Sequence, residues 1–284
     1  MKETRIEGKR DSRRFHFSEQ FLILITKETV AVVTGANRGI GYEIARQLAG
    51  HRLTVTLTSR DSSVGIEAAK VIQDLGFNVD VHQLDILDSE SISAFIDWIK
   101  QKYGGVDILV NNAGVNYNLG YDNSVEFARQ VIETNYYGTK NMIKAMIPVM
   151  RPSAVGARIV NVSSRLGRLN GRRNRIQDAN LREKLTNLET LSEELIDRTV
   201  SSSYKKLKMK HGNRADGLKH SVSKLAVNAY TRLLAKELYD QSQGEKIYVN
   251  CYCPGWVKTA MTGWQGNISR LTPESGLPCF WTQL

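Results

Sequence analysis

Short apolar runs alternate with longer amphipathic stretches along the chain. Residues 30–33 are four consecutive apolar side chains, which is typical of a strand that is buried on both faces. The residues that follow predict an amphipathic helix, because their apolar side chains recur at helical spacing. These positions are Ile40, Ile44, Ala45 and Leu48.

The same alternation continues further along the chain. We expect more strands at residues 53–58, 79–84, 107–110 and 247–251, and helices at residues 66–75, 92–103 and 223–237. Strands that alternate with helices form a parallel sheet with right-handed crossovers. The pattern therefore predicts a single α/β domain with a doubly wound parallel sheet, whose ligand site lies at the carboxyl ends of the strands.

Three glycines occupy the connection between the first strand and the first helix. Gly35, Gly39 and Gly41 allow a tight turn, a close approach to a pyrophosphate and close packing of the helix on the sheet. The N–H groups at the start of the helix point at an anion in such a turn. Residues 30–50 therefore predict a dinucleotide-binding turn, because the strand and helix that this motif requires flank it directly.

The end of the second strand indicates which dinucleotide is bound. An acidic residue there would accept hydrogen bonds from the adenosine ribose, whereas the chain has Arg60, which can pair with a 2′-phosphate. Arg38 places a second guanidinium inside the glycine turn. The two arginines predict a preference for NADPH over NADH.

The charge of the chain is concentrated in one region. The sequence has 284 residues, 41% of them hydrophobic, and a net charge of +10, which is a globular composition. Residues 165–224 hold 15 Lys and Arg against 7 Asp and Glu. They form a mixed-charge stretch in which Tyr204 is the only Phe, Tyr or Trp residue, so aromatic residues do not alternate with the basic ones. This favours a solvated surface over nucleic-acid binding.

Cysteines and targeting signals add little. The three cysteines, Cys251, Cys253 and Cys279, fit neither a disulfide framework nor a metal site. The apolar run at residues 21–25 is too short for a membrane span and lacks the features of a signal peptide. We expect residues 1–27 to be a mobile extension, and their acidic residues argue against a transit peptide. A cytoplasmic protein with no metal, nucleic-acid or membrane partner is therefore expected.

Six motifs across about residues 30–269 resemble, in sequence and order, those of the short-chain dehydrogenase/reductase family. They are TGANRGIG (34–41), LDI (84–86), NNAG (111–114), IVNVSS (159–164), SK (223–224) and CPGWVKTAM (253–261). The chain looks most like the plant branch of carbonyl, menthone and neomenthol reductases. This resemblance implies a Rossmann fold, NADPH or NADP as the cofactor, and hydride transfer to the carbonyl of a small ketone or aldehyde.

The resemblance also implies the residues of the site. Asp85 would hold the adenine, and Asn112 would line the adenosine pocket. Ser164 matches the serine that hydrogen-bonds the substrate carbonyl, Asn135 matches the asparagine that holds a relay water, and Lys224 matches the lysine that binds the nicotinamide ribose. A helix-kinking or capping amide remains the alternative for Asn135. The predicted cofactor-binding residues are Gly35, Asn37, Arg38, Gly39, Ile40, Gly41, Arg60, Asp85, Ile86, Asn112, Ala113, Gly114, Lys224, Pro254, Gly255, Val257 and Thr259.

One position departs from the family pattern. The catalytic tyrosine, four residues before Lys224, is replaced by His220. Residues four apart share a helix face, so His220 would point where the phenol normally lies. A neutral imidazole can donate a proton, but its reach is shorter and Lys224 disfavours its charged form. We therefore predict slow acid catalysis from His220, and Tyr204 and Tyr230 lack the spacing to replace it.

Residues 165–217 form a connection of unusual length, which predicts a lid or binding loop. Its leucines predict one or two amphipathic helices within residues 181–195. Similar insertions in the monomeric carbonyl reductases imply a monomer. After Trp264 the pattern of the family's final strand is missing, so we expect the sheet to lack its last strand and to keep an open edge.

Three functions are compatible with these features. The main prediction is an NADPH-dependent carbonyl reductase. The alternatives are a cofactor-binding protein with little or no turnover, which His220 and the short C-terminus favour, and a reductase of enone double bonds.

Overall fold

The computed structural model of the chain describes residues 28–116, 125–151, 156–169, 171, 174, 176–209, 218–241 and 246–263. Their strands are β1 Val30–Val33, β2 Thr54–Ser59, β3 Val79–Gln83, β4 Ile108–Asn111, β5 Ala157–Val162 and β6 Ile247–Tyr252. Their α-helices are α1 Gly39–Gly50, α2 Ser62–Gln73, α3 Ser89–Tyr103, α4 Val125–Ile132, α5 Thr139–Met146, α6 Ala179–Thr186, α7 Glu193–Met209 and α8 Leu218–Gln241. A π-helical turn, Glu133–Gly138, joins α4 to α5. Short 3₁₀ turns lie at Ile147–Val149, Arg165–Gly167 and Ala260–Thr262.

The described strands form one parallel sheet in the order β3-β2-β1-β4-β5-β6. β1 lies inside the sheet, where Val30 is opposite Thr54 of β2 and Ala31 is opposite Ile108 of β4. The chain winds outward from β1 to β3 and then returns to β4 on the other side of β1. The carboxyl ends of β1 and β4 therefore mark the point where the winding reverses, which is where ligands bind in such sheets. The predicted doubly wound fold is confirmed.

Alternate residues of β1 face two separate hydrophobic cores. Val30 and Val32 belong to the core that also contains side chains of α3, α5 and α8. Ala31 and Val33 belong to the core on the other face, with side chains of α1 and α2. Successive side chains of a strand point to opposite faces, so a strand covered on both faces needs an uninterrupted apolar run.

Aspartate caps explain why two of the helices begin earlier than their apolar spacing predicts. The Asp61 carboxylate accepts hydrogen bonds from Ser63 N and Val64 N, which starts α2 at Ser62 instead of residue 66. The Asp88 carboxylate accepts from Glu90 N and starts α3 at Ser89 instead of residue 92. Such caps satisfy N–H groups that have no partner within the helix.

The described part of the insertion after β5 contains two α-helices, and the second continues well beyond the predicted residue 195. This helix, α7, lies against α4 and α8. Lys140 of α5 is 6% exposed, and its ammonium group lies 2.9 Å from the Asp197 carboxylate and 3.2 Å from that of Glu193. The Tyr136 hydroxyl also donates to Asp197, at 2.7 Å. Paired in this way, the buried lysine holds α7 to the body of the protein.

Several predictions fall on residues outside the described part of the chain. These are the mobile extension at residues 1–27, the end of the insertion at residues 210–217, and the missing last strand, which concerns residues 264–284. Among the residues that are described, no helix has the length and apolar character needed to cross a membrane.

Candidate active site at the carboxyl edge of the sheet

The glycine turn after β1 leaves the start of α1 open. Gly35 and Gly39 both have a φ of +60°, a conformation that favours glycine. Arg38 precedes α1 in an extended conformation, its side chain does not cap the helix, and the first turn of α1 holds no acidic residue. The first N–H groups of α1 thus lack a side-chain acceptor in the described chain. This arrangement fits a phosphate group.

Asn112 holds the glycine turn against the end of β4. Its Nδ2 donates to Thr34 O at 3.0 Å and to Gly35 O at 2.9 Å. The Thr34 hydroxyl oxygen accepts from Asn112 N and Ala113 N, both at 3.0 Å. A Cβ on Gly41 would overlap the Asn112 amide and lie 2.7 Å from Gly35 O. Asn112 therefore shapes the turn with its amide hydrogens, which the spacing of the motifs alone did not indicate.

Two exposed arginines lie in this turn and at the neighbouring strand end. Arg38 lies in the turn itself, and Arg60 directly follows β2. Neither guanidinium has a hydrogen-bond or ion-pair partner within the described residues. Their positions leave both free to meet an anion at the ends of β1 and β2.

The residues predicted at the adenine end lie beyond β3. The Asp85 carboxylate accepts from Leu87 N at 2.9 Å, which orders the loop in front of α3. Ile86 is buried, and its side chain packs against Gly138, where a Cβ would lie 2.9 Å from Ile86 Cδ1. The Gln83 amide donates to Arg60 O at 3.3 Å. This contact ties the loop after β2 to the end of β3.

Ser164 lies just beyond β5 with an extended backbone. Its Oγ accepts from Leu166 N at 3.1 Å and caps the 3₁₀ turn Arg165–Gly167. The bond uses the oxygen as an acceptor, so the hydroxyl hydrogen remains available for donation. Ser163 points differently, because its hydroxyl donates to Asn228 Oδ1 on α8.

Lys224 is a buried ammonium group on α8. Its side chain is 7% exposed, and Nζ donates to Val162 O at the end of β5, at 2.8 Å. Burial lowers the pKa of Lys224 to about 8, against a smaller opposing effect of Cys253 and Cys251. The lysine therefore loses its charge more readily than an exposed lysine does.

His220 lies one turn before Lys224 on the same helix. Burial, and then the charge of Lys224, lower its pKa to about 3, so the imidazole is neutral at pH 7. Its Nδ1 is buried and has no hydrogen-bond partner within the described chain. No hydrogen bond joins Ser164, His220 and Lys224 to one another there. The structure brings these side chains to one region through separate contacts.

Asn135 lies within the π-helical turn and is 1% exposed. Its Oδ1 accepts from Val115 N at 2.8 Å, and its Nδ2 donates to Val115 O at 3.0 Å and to Ser223 Oγ at 3.2 Å. The Ser223 hydroxyl donates in turn to His220 O at 2.9 Å. Asn135 thus connects the loop after β4 to the start of α8. Single π-turns inside helices are frequent at functional sites.

The segment after β6 reaches the glycine turn. Thr259 is 8% exposed, and its Cγ2 would lie 3.6 Å from a Cβ placed on Gly39. Gly255 has a φ of +83°, and Val257 is buried. Pro254 and these residues bring the predicted nicotinamide end next to the predicted phosphate end.

Three residues that shape this region were not among the predicted site residues. Thr34 and Ser223 lie inside the quoted motifs, so those motifs carried a signal for them. Asn174 is buried beside Leu166 and Ser221, and no sequence pattern indicated it.

Comparisons with known proteins agree with this geometry. The pattern that defines the short chain dehydrogenase family matches residues 29–175. Carbonyl reductase (NADPH) 1 of Sus scrofa is 38% identical to the chain, covering 82% of it and 80% of the relative. (+)-Neomenthol dehydrogenase of Arabidopsis thaliana is 37% identical, with 84% and 86% covered. The structure of salutaridine reductase from Papaver somniferum superposes with a TM-score of 0.77 at 34% identity, with 90% and 95% covered. The chain therefore belongs to the short-chain dehydrogenase/reductase family of oxidoreductases, within the branch that resembles the plant carbonyl reductases.

Proposed function

We propose that the protein is an NADPH-dependent reductase of the carbonyl group of a small ketone or aldehyde. The proposal rests on one observation: the uncapped, glycine-lined start of α1 lies at the same edge of the sheet as Ser164, Lys224 and Asn135. The similarity to reductases of carbonyl compounds supports the same reaction class.

The residues around the glycine turn suit NADPH. Its pyrophosphate would lie at the N–H groups of Gly39, Ile40 and Gly41, where no side chain caps α1. Arg38 and Arg60 would pair with the 2′-phosphate, because they are exposed cations without protein partners in the described region. When bound, NADPH supplies the hydride for the carbonyl carbon.

The chain's own side chains would act on the carbonyl oxygen. The Ser164 hydroxyl has a free hydrogen to donate to that oxygen, since Leu166 N occupies its acceptor side. Lys224 supplies a positive charge that stabilises negative charge developing on the oxygen. The neutral His220 ring would donate its N–H proton, which is a far weaker acid than an imidazolium.

We also propose that the protein is a monomer. α7 covers part of the α4 and α8 surface, and the Lys140 cluster fixes it there with ion pairs. Sedimentation equilibrium would test this: a concentration-independent mass near 31.9 kDa supports the proposal, and a dimer mass contradicts it.

The function is tested by following NADPH oxidation with a simple ketone and with an enone, beside a fluorescence titration of NADPH binding. Reduction of the ketone supports the proposal. NADPH binding without NADPH oxidation would identify a cofactor-binding protein. His220 in place of the family's tyrosine favours this alternative. Oxidation with the enone alone would identify a double-bond reductase.

The substitution His220→Tyr sharpens this test, because it restores the phenol of the family pattern beside Lys224. Ketone reduction should rise about 10²- to 10⁴-fold, the usual contribution of a positioned general acid. The affinity for NADPH should stay unchanged, since His220 is not among the residues proposed to bind it. Unchanged ketone turnover with intact NADPH binding would mean that the proton donor does not limit the reaction.

A further inference from the structure

One buried side-chain amide joins the turn after β5 to helix α8. Asn174 is 6% exposed, and its Nδ2 donates to Leu166 O at 2.5 Å and to Ser221 O at 3.0 Å. Both amide hydrogens are therefore used. Their two acceptors belong to different segments of the chain, so a single side chain sets the distance between those segments.

Each of these acceptors lies beside a residue of the candidate active site. Leu166 N donates to Ser164 Oγ at 3.1 Å, so Leu166 belongs to the turn that Ser164 caps. Ser221 directly follows His220 on α8. A short chain of bonds thus runs from the Ser164 hydroxyl through Asn174 to the helix turn that carries His220.

A second contact holds the same turn at another height of the helix. Gly167 packs on the backbone of Lys224, where a Cβ would overlap the carbonyl group and lie 2.8 Å from Asn228 Nδ2. Lys224 and Ser221 are three residues apart, which is almost one helical turn. The end of β5 is also held further along α8, because the Ser163 hydroxyl donates to Asn228 Oδ1. Asn174 adds a contact on the other side of Lys224, next to His220.

We propose that Asn174 is a positioning residue of the reductase, which sets the Ser164 hydroxyl and the His220 side chain at a separation that lets both reach one carbonyl oxygen. This inference rests on the proposed function. Asn174 itself touches neither the substrate nor the cofactor, and it acts only through Leu166 and Ser221.

The test compares two variants that each loosen the insertion from α8. Asn174→Asp keeps the shape of the side chain but replaces the donating NH₂ group with a carboxylate oxygen. That oxygen then faces two carbonyl oxygens, to which it cannot donate. Arg232→Met is the matched control, because Arg232 donates to Leu185 O at 3.1 Å and Thr186 O at 2.5 Å. Arg232 therefore also joins the insertion to α8 by hydrogen bonds, but these bonds lie away from Ser164 and His220.

We expect kcat for ketone reduction to fall about 10- to 100-fold in Asn174→Asp, as for a small misplacement of reacting groups. The KM for NADPH should stay within about twofold, since the cofactor's contacts are untouched. Arg232→Met should keep its kcat even if its melting temperature drops. An unchanged kcat in Asn174→Asp, or an equal loss in Arg232→Met, would overturn the proposal.

A measurement without turnover separates this inference from the proposed function. The ring resonances of His220, assigned with His220→Gln, should shift in Asn174→Asp and in the milder Asn174→Ala, but not in Arg232→Met. If the unchanged protein reduces no ketone, the proposed function fails, and shifted His220 resonances still support the positioning role. Unshifted resonances in a folded Asn174→Ala protein would refute that role.

Discussion

Replacement of His220 by glutamine should make the protein markedly more resistant to acid. His220 has a pKa of about 3 in the folded protein, against an ordinary value of 6.5, because its ring is largely removed from water and Lys224 lies one turn away. The unfolded chain exposes the ring and takes up a proton below about pH 6.5. Between pH 6.5 and pH 3 only the unfolded state is protonated, so the stability of the fold decreases as the pH falls.

The size of this effect follows from the two pKa values. Each pH unit below 6.5 costs about 1.4 kcal/mol, so the loss at pH 5 is about 2 kcal/mol relative to pH 7.5. This figure holds for any folded-state pKa below about 4, since the native ring then binds almost no proton at pH 5. Above pH 7 the ring is neutral in both states, and the contribution vanishes.

The measurement is denaturant unfolding of the unchanged protein and of His220→Gln at pH 7.5 and pH 5.0. The loss of stability on acidification should be about 2 kcal/mol smaller in the variant, and any packing change affects both pH values equally. His51→Gln is the control. Burial lowers the pKa of His51 as well, but the residue lies at the exposed end of α1, so this variant should give a difference of the same sign and of much smaller size. Equal acid sensitivity of His220→Gln and the unchanged protein would refute the buried neutral imidazole.

Three further predictions concern the cofactor. NADPH should bind at least tenfold more tightly than NADH, a difference of about 1.4 kcal/mol in binding free energy. Arg60→Ala should reduce that preference. Equal dissociation constants for NADPH and NADH in two titrations would contradict this prediction. Lys224→Ala should weaken NADPH binding and abolish ketone turnover together, so wild-type turnover in this variant would contradict the assignment of Lys224. Gly41→Ala should lose NADPH binding and about 1 to 3 kcal/mol of stability, because its Cβ overlaps the Asn112 amide. Gly50→Ala in the same helix meets only ordinary contacts and should be close to neutral in both assays.

The fold could be predicted largely because the hydrophobic pattern decides it. The runs in β1 and β4 are too short for buried helices and fit strands covered on both faces, and their alternation with helices favours a parallel sheet. The pattern placed the starts of α2 and α3 too late, since Asp61 and Asp88 are polar residues outside the apolar stripe. The π-helical turn at Glu133–Gly138, in which Asn135 bonds to Val115, left no periodic signal.

Less of the candidate site than of the fold could be predicted from the sequence. Motif spacing predicted Ser164, Asn135 and Lys224 at the carboxyl edge of the sheet, and the structure places them there, because each follows or faces the end of a parallel strand. It could not predict that burial lowers the pKa of Lys224 to about 8, since burial depends on which segments cover the lysine. The sequence also did not predict Asn174, because its proposed role depends on two carbonyl groups that only the folded chain brings together.

The substitution His220→Tyr joins the stability and the kinetic arguments in one protein. A phenol has a pKa of about 10 and is uncharged at both pH 5 and pH 7.5, so His220→Tyr should show the same acid resistance as His220→Gln. Only tyrosine, however, offers a proton to the substrate, so ketone turnover should rise in this variant and not in His220→Gln. Acid resistance without a gain in turnover would show that the imidazole at position 220 stays neutral in the folded protein while the reaction is limited elsewhere. A gain in turnover in both variants would instead mean that the imidazole obstructs the substrate, because glutamine has no acidic proton to give.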